Sequence, residues 1–283
     1  MGQNGNLIVG LDLGTTKTCV LVGEVHKEGI DIIGFGSTAS KGLRKGVVIN
    51  IESTVDSINK VLEEAELMSG CKISGVYTGI AGSHIKGLNS HGVIGIKDSE
   101  VTRHDISRVI EAAKAIAIPL DREIIHILPQ EFVVDGQNGI NDPLGMAGVR
   151  LETNVHMVTG LASSAQNIIK CANRNGLSVK ELVLQTLASS ESTLQEDERE
   201  LGVVLVDIGG GTTDIAFLKG GSIRYTSILA LGGDHITSDI AVGLRTSLTQ
   251  AEELKVKYGS TVTSHAARDE TLDVSFMGGS HPR

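Results

Sequence analysis

The chain has few aromatic side chains and no tryptophan. Aromatic residues make up 2% of its 283 residues, too few for the stacking platforms that bind single-stranded nucleic acid. The net charge is −9 at pH 7, so the sequence also lacks the broad basic surface that DNA or RNA binding requires. We therefore expect no nucleic-acid partner.

Cysteine is also scarce, and long apolar runs are missing. Cys19, Cys71 and Cys171 show no metal-ligand spacing, and each lies in or beside an apolar stretch, which favours small buried thiols in a reducing cytosol. No apolar run reaches the roughly 18 residues that a membrane span needs, and the first residues do not resemble a secretory leader. The histidines show no close pairing, which disfavours a zinc site.

The chain does contain one motif in two copies. Residues 7–17 read Leu-Ile-Val-Gly-Leu-Asp-Leu-Gly-Thr-Thr-Lys, and residues 203–214 read Val-Val-Leu-Val-Asp-Ile-Gly-Gly-Gly-Thr-Thr-Asp. Each copy is an apolar strand, an aspartate, a glycine-rich turn and a threonine pair, followed by a second apolar strand. One copy alone is most simply a hairpin whose aspartate caps the turn. Two copies suggest two halves of a protein that close on one polyanion.

The chemistry of these turns suits phosphate. Successive N–H groups of a glycine-rich turn form an anion-binding nest, and glycine allows close backbone approach. Asp12 and Asp207 would repel a phosphate unless a cation lay between them, so we expect them to be Mg²⁺ ligands, acting through water. Gly232 and Gly233 precede a predicted helix and add a third anion-friendly terminus.

Two further side chains have open alternatives. Lys17 either donates its ammonium group to a phosphate or contributes only its backbone N–H. Gln185, predicted on a strand, is a candidate for orienting a hydrolytic water, although a packing or surface role is favoured. Because both turns lead into strands, a P-loop and a dinucleotide-binding turn are disfavoured, since each needs a helix directly after its glycines.

The pattern of elements predicts an α/β chain in four parts. A meander, a helix at 53–69 with Ser53 as N-cap, and a strand at 75–81 form the first part. Strands at 91–96, 123–134 and 149–159 and a helix at 101–117 form an insertion, with Pro129 favouring an edge or a bend. We predict domain boundaries at 1–82, 83–160, 161–200 and 201–283. Residues 195–200 are predicted to be a solvated surface segment, and 272–276 a strand.

The two turns together resemble the phosphate-1 and phosphate-2 motifs of the actin, sugar kinase and heat-shock chaperone superfamily. Six further segments resemble the FtsA family of bacterial cell-division proteins, and the similarity runs from about Leu7 to Arg283. They are Gly70–Tyr77, Ile127–Phe132, Gly145–Arg150, Leu187–Ser190, Glu196–Gly202 and Ser238–Ala241. The insertion matches the extra strand–helix–strand–strand (SHS2-type) subdomain of that family.

The resemblance implies an actin-like, ribonuclease H-like fold of two halves that binds ATP and Mg²⁺, with ATPase activity uncertain. The first motif then comprises Asp12, Gly14, Thr15, Thr16 and Lys17. The second comprises Asp207, Gly209, Gly210, Gly211, Thr212, Thr213 and Asp214, with Gly232 and Gly233 as a less secure part of the nucleotide floor.

The resemblance also implies a place in the cell. Family members form filaments, bind FtsZ, recruit later division proteins through the inserted subdomain, and work at the inner face of the cytoplasmic membrane. They continue past the position of Arg283, so we expect this chain to have an incomplete second half and to lack the C-terminal membrane helix. The alternatives are an actin-like pilus assembly ATPase or a small-molecule kinase of the same superfold.

Overall fold

The first half of the molecule is built on a five-stranded mixed sheet. The computed structural model describes residues 7–262, 264, 271, 272 and 274. The strands of this sheet are β1 (Leu7–Leu13), β2 (Lys17–His26), β3 (Gly29–Ala39), β6 (Gly75–Ile80) and β11 (Ser178–Leu184), in the order β11–β6–β1–β2–β3. The predicted antiparallel meander β1–β2–β3 is confirmed, and β6 runs parallel to both β1 and β11.

Helix α1 (Ile51–Ser69) packs on one face of this sheet. Its N-cap is Asn50, whose Oδ1 accepts the N–H of Ser53 at 3.0 Å, so the prediction of Ser53 as the cap was wrong. Gly70 ends the helix at φ 68°, as predicted. Ile58, Val61 and Ala65 are fully buried and join the core with the strands. The helix therefore fixes one side of β1, whose carboxyl end carries Asp12.

The insertion is a second, antiparallel sheet with its own core. Its strands are β7 (Lys86–Gly95), β8 (Arg122–Val134), β9 (Gln137–Ile140) and β10 (Arg150–Leu161), in the order β7–β10–β8–β9, and α2 (Arg103–Lys114) packs on it. The predicted order strand, helix, strand, strand is confirmed, with β9 as an unpredicted addition. Pro129 lies at a register shift between β8 and β10, on the part of β8 that β9 does not pair with, so the predicted edge position is confirmed.

Two helices and a small hairpin complete the first half. Helix α3 (Ala162–Arg174) packs against β11, and α4 (Gln185–Thr193) begins directly after the end of β11. The hairpin is β4 (Leu43–Arg44) and β5 (Val47–Val48). Gln185 is thus the first residue of a helix, and the prediction that it lies on a strand was wrong. Residues 196–201 form the short helix α5 (Glu196–Leu201), which has no buried residue, in agreement with the predicted solvated surface segment.

The second half, as far as it is described, is a three-stranded antiparallel meander with two helices. Its elements are β12 (Val203–Ile208), β13 (Thr213–Lys219), β14 (Ser222–Leu229), α6 (Gly233–Leu244) and α7 (Leu248–Tyr258). The predicted strand at 272–276 lies largely outside the described residues. Among the helices of the described part of the chain, none combines the length and the apolar character needed to cross a membrane.

Candidate functional site

The two glycine turns lie side by side at one cavity of about 570 Å³. Both turns line it, together with residues of β6, the start of α4, and Gly46 from the tip of the β4–β5 hairpin. All of the residues predicted for the site line the cavity except Thr213, Gly232 and Gly233. The structure therefore brings together side chains that lie almost two hundred positions apart in the sequence.

The two hairpins have the same backbone geometry. In the first, the Gly14 N–H donates to Lys17 O at 3.0 Å, and in the second the Gly209 N–H donates to Thr212 O at 2.9 Å. Asp12 pairs with Cys19 across its hairpin, and Asp207 pairs with Asp214 at the same register.

This register aligns Thr15 and Thr16 with Gly210 and Gly211. Treating the two threonine pairs as equivalent is therefore wrong by two positions, because Thr212 is the counterpart of Lys17. Thr213 is instead the counterpart of Thr18 on the second strand. Its hydroxyl donates to Leu231 O at 2.8 Å, so it holds the chain that leads to α6.

The threonines of the first turn occupy the space that the glycines of the second turn leave open. A Cβ on Gly210 would lie 1.9 Å from Thr16 Oγ1, and a Cβ on Gly211 would lie 2.7 Å from Thr15 Oγ1. Real Cβ atoms do not approach other atoms this closely. The side chains of one turn thus require glycine in the other, and the two turns pack directly on each other.

Helix α6 supports the second turn from outside the cavity. The N–H groups of Gly233 and Asp234 donate to the carbonyls of Gly209 and Gly210, each at 2.9 Å. His235 Nδ1 accepts the Gly232 N–H at 3.1 Å. The free N–H groups that make a helix start attractive to anions are therefore already used here. The predicted third anion site at Gly232 and Gly233 is absent from this arrangement, and these residues buttress the turn.

One helical turn of α4 reaches both aspartates. Gln185 Nε2 donates to Asp12 Oδ1 at 2.6 Å, and the Ser189 hydroxyl donates to Asp207 Oδ2 at 2.9 Å. Residues four apart lie on the same side of a helix, so α4 spans the gap between the halves. Sequence reasoning missed Ser189, although its spacing from Gln185 was the signal that could have found it.

The tip of the β4–β5 hairpin is a further wall of the site that sequence reasoning missed. The Gly46 N–H donates to Thr15 Oγ1 at 3.0 Å, which leaves the hydroxyl proton of Thr15 free to donate to a ligand. Lys45 holds a left-handed backbone conformation at φ 52°, and Gly46 is at φ 75°. Such backbone strain in a non-glycine residue is typical of functional sites.

The carboxylates of the site repel one another. Loss of hydration within the cavity raises the pKa of Asp12, and the Asp207 charge raises it further, while Gln185 and Lys17 act in the opposite direction. Burial, with a smaller contribution from Asp207, raises the pKa of Asp214 to about 6, although Thr212 donates to it. Asp214 Oδ1 is buried and has no hydrogen-bond partner among the described residues.

These observations fit a divalent cation that is held mainly by its ligand and water. The described residues contain no group of three or more His, Cys, Asp and Glu arranged to hold a metal by themselves. Two facing aspartates beside anion-binding turns match Mg²⁺, which keeps several waters and shares its remaining positions with phosphate oxygens. Asp12 and Asp207 are the residues that would face it. A cation there would offset the charge of Asp207, which contributes to the raised pKa values of Asp12 and Asp214.

The arrangement of two α/β halves around this cavity defines an actin-like fold. A solved structure of a PilM–PilN type IV pilus biogenesis complex superimposes with a TM-score of 0.65 at 19% identity, over 89% of this chain and 70% of that one. An MreB protein of Spiroplasma citri bound to ADP gives a TM-score of 0.54 at 14% identity, over 100% and 71%. At such identities the likeness concerns the fold alone.

Sequence comparisons give the family within this fold. The FtsA-inserted SHS2 domain matches residues 82–159, and the cell division protein FtsA model matches residues 204–283. Cell division protein FtsA of Pseudomonas aeruginosa is 51% identical over 99% of this chain and 68% of its own length. The Neisseria meningitidis and Escherichia coli K12 proteins are 47% and 44% identical, each over 98% of this chain.

The chain therefore belongs to the FtsA family, and its role is in cell division. It spans about two thirds of the length of these relatives, 68% and 67% for the first two.

Proposed function

We propose that the chain is the ATP-binding part of an actin-like cell-division scaffold, with ATP and Mg²⁺ held between its two turns. The observation that supports this most strongly is the direct packing of two anion-binding turns, one from each half, beside the facing aspartates Asp12 and Asp207. A ligand that touches both turns would join the halves. The nucleotide would then serve mainly as a structural switch, with weak ATP hydrolysis or none.

In this proposal the residues divide by role. The N–H groups of residues 15–17 and 210–212 bind phosphate oxygens, as nests do. Asp12 and Asp207 hold Mg²⁺ through water, and Asp214 supplies a third negative group behind them. Gln185 orients Asp12, and the same amide is the one available to direct a hydrolytic water. Thr15 donates its hydroxyl to phosphate while it accepts from Gly46.

The proposed partners follow from the family. The scaffold would associate with FtsZ, assemble with other copies of itself into filaments, and recruit later division proteins through the inserted subdomain. The scaffold would act on the cytoplasmic side of the membrane at the division site. Longer family members would be anchored there by a C-terminal helix. The pilus-assembly alternative has support in fold alone, whereas the division role has support in sequence as well.

Binding of ATP with Mg²⁺ by this chain, measured by calorimetry, tests the proposal. We expect the Asp12→Ala, Asp207→Ala double variant to bind at least about tenfold more weakly, because it loses both carboxylates that face the cation. The exposed Asp239, changed to Ala, is the matched control and should bind as the unchanged chain does. Equal affinity of the double variant and the unchanged chain would contradict the metal assignment.

Two assays separate the alternatives. Incubation with ATP and a panel of sugars and polyols should give no phosphoryl transfer, and robust transfer would favour a kinase. Co-sedimentation of the chain with FtsZ should show association, and a full-length family member is the positive control. If that control binds FtsZ and the chain does not, the result counts against the scaffold role of this part.

A further inference from the structure

The inserted subdomain contacts the second half through polar groups, of which Gln130, His156 and Thr226 are buried and Asn89 is exposed. Three side chains of its sheet, Asn89, Gln130 and His156, meet the strand β14. Asn89 Nδ2 donates to Arg224 O at 3.1 Å, and Gln130 Nε2 donates to Ile223 O at 3.0 Å. The Thr226 hydroxyl donates to His156 Nε2 at 2.9 Å. We refer to these six residues as the β14 contact.

Both ring nitrogens of His156 in this contact have a partner of the matching kind. His156 Nδ1 lies 2.7 Å from Asn89 Oδ1, which can only accept, so Nδ1 carries the ring proton and Nε2 is left to accept. Neutral imidazole makes both bonds, and burial lowers the pKa of His156 to about 4, which keeps the ring neutral at physiological pH. A buried imidazole with both nitrogens paired favours one fixed geometry of the contact.

Gly87 of β7 makes the close approach of the two parts possible. A Cβ at this position would lie 2.4 Å from Thr226 Oγ1 and 2.7 Å from His156. Gly95 at the other end of the same strand is different, because the nearest atom to its Cβ would be Val149 O at 4.0 Å. The absence of a side chain is therefore required at the β14 contact and not along the whole strand.

The strand β14 leads directly into the start of α6, which supports the second phosphate turn by hydrogen bonds. Beyond Thr226 the chain reaches Leu231, whose carbonyl accepts the Thr213 hydroxyl. The next N–H groups, of Gly233 and Asp234, donate to the carbonyls of Gly209 and Gly210. A short, hydrogen-bonded length of chain thus joins the β14 contact to the cavity.

The inserted subdomain contacts the other half at a comparable place. His126 Nε2 on β8 accepts the N–H of Leu184 at 2.9 Å. Leu184 immediately precedes Gln185, whose amide donates to Asp12. The insertion therefore holds the residue just before Gln185, which is the partner of Asp12, and it also holds the strand that leads to the supports of the second turn.

We propose that the inserted subdomain and the cavity are coupled through β14, so that a ligand that changes the second turn also changes how firmly the insertion is held. By linkage, ligand binding and the β14 contact then stabilise each other by the same coupling free energy. The proposal rests on the proposed function only in naming ATP as the ligand. It gives the insertion, which is the proposed docking part for other division proteins, a direct means of responding to the cavity.

Hydrogen exchange by mass spectrometry on the whole chain tests the coupling without any ligand. Gly87→Ala, in the insertion, adds a methyl group that pushes the two sides of the β14 contact apart. Thr226→Val, in the second half, removes the hydroxyl that donates to His156. Each should raise amide exchange at residues 209–212 and 232–235 about fivefold, since one buried hydrogen bond is lost and the connected turn opens with it. The controls are Gly95→Ala and Ser227→Ala, and Thr226→Ser should restore the unchanged rates.

The outcomes separate the coupling from the proposed function. Faster exchange confined to residues 86–90, 154–158 and 222–228, with the turn unchanged, would overturn the coupling. In a second arm, ATP with Mg²⁺ should slow exchange at 154–158 in the unchanged chain and not in Thr226→Val. Protection of the turn alone would contradict the coupling. No ATP binding at all would contradict the proposed function, and the ligand-free arm would still decide the coupling.

Discussion

The hairpins β1–β2 and β12–β13 carry the same backbone turn with different side chains. The first presents Thr15, Thr16 and Lys17 to the cavity, whereas the second presents Gly210, Gly211 and Thr212 at the equivalent positions. Opposite its aspartate the first has a thiol, and the second has the buried carboxyl of Asp214. The two hairpins thus share the same turn backbone and differ in the side chains that they bring to the cavity.

The difference shows how two similar turns come to form one site. Threonine hydroxyls of one turn fit where the other turn has no side chain, so two identical turns would collide. The supports differ as well, because the β4–β5 hairpin bonds to the first turn and α6 bonds to the second. Only the second hairpin has a carboxyl opposite its aspartate, and the buried charge of Asp214 is the most sensitive point of the comparison.

The largest expected effect comes from neutralising this charge. In the folded state the pKa of Asp214 rises from its usual 3.8 to about 6, so the folded chain binds more protons than the unfolded chain between these values. The free energy of unfolding therefore falls as pH rises through this window. Asp214→Asn should stabilise the ligand-free chain by ~3 kcal/mol at pH 8 and remove that slope.

Urea unfolding between pH 4.5 and 8 measures this effect. The exposed Asp239 on α6, changed to Asn, is the control and should keep the original slope. A slope that persists in Asp214→Asn would show that the carboxyl is not the source of the pH dependence.

A smaller effect tests the fit of the two turns. Gly210→Ala should destabilise the ligand-free chain by about 2 kcal/mol, because the new Cβ overpacks against Thr16. Adding Thr16→Ala removes the atom that would lie 1.9 Å away and should recover most of the loss in a double-mutant cycle of thermal unfolding. Gly243→Ala, where nothing lies within 4 Å of the added Cβ, should not destabilise. Additive effects of the two substitutions would disprove the complementarity.

The smallest effect concerns the bond that α4 makes to the first hairpin. Gln185 counteracts the effect of burial on Asp12, so Gln185→Met should raise the pKa of that carboxyl. The pH at which ATP and Mg²⁺ bind half-maximally should then move upward, with about fivefold weaker binding at neutral pH. Ser192→Ala, on an exposed position of the same helix, should leave the profile unchanged. An unchanged profile in Gln185→Met would argue that the bond has no role in binding.

Local residue patterns predicted many of the strands and helices. Alternating apolar runs located the strands of both meanders, and Gly70 marked the end of α1. The strand β9 has four residues, and the strands β4 and β5 have two each. Sequence patterns did not predict them because elements this short show no period. The N-cap was misplaced because Asn50 and Ser53 are both good capping residues, and only the backbone conformation at residue 50 distinguishes them.

The sequence by itself determined that two aspartate-bearing glycine turns exist, that an insertion separates them, and that the chain is of the FtsA kind. These properties are encoded in neighbouring residues. The tertiary structure alone decided which residues of the turns face each other, that Gly232 and Gly233 support a turn from outside, and that Ser189, Gly46 and the β14 contact belong to the arrangement. Each of these depends on packing between segments far apart in the chain, and local residue patterns do not record distances of that kind.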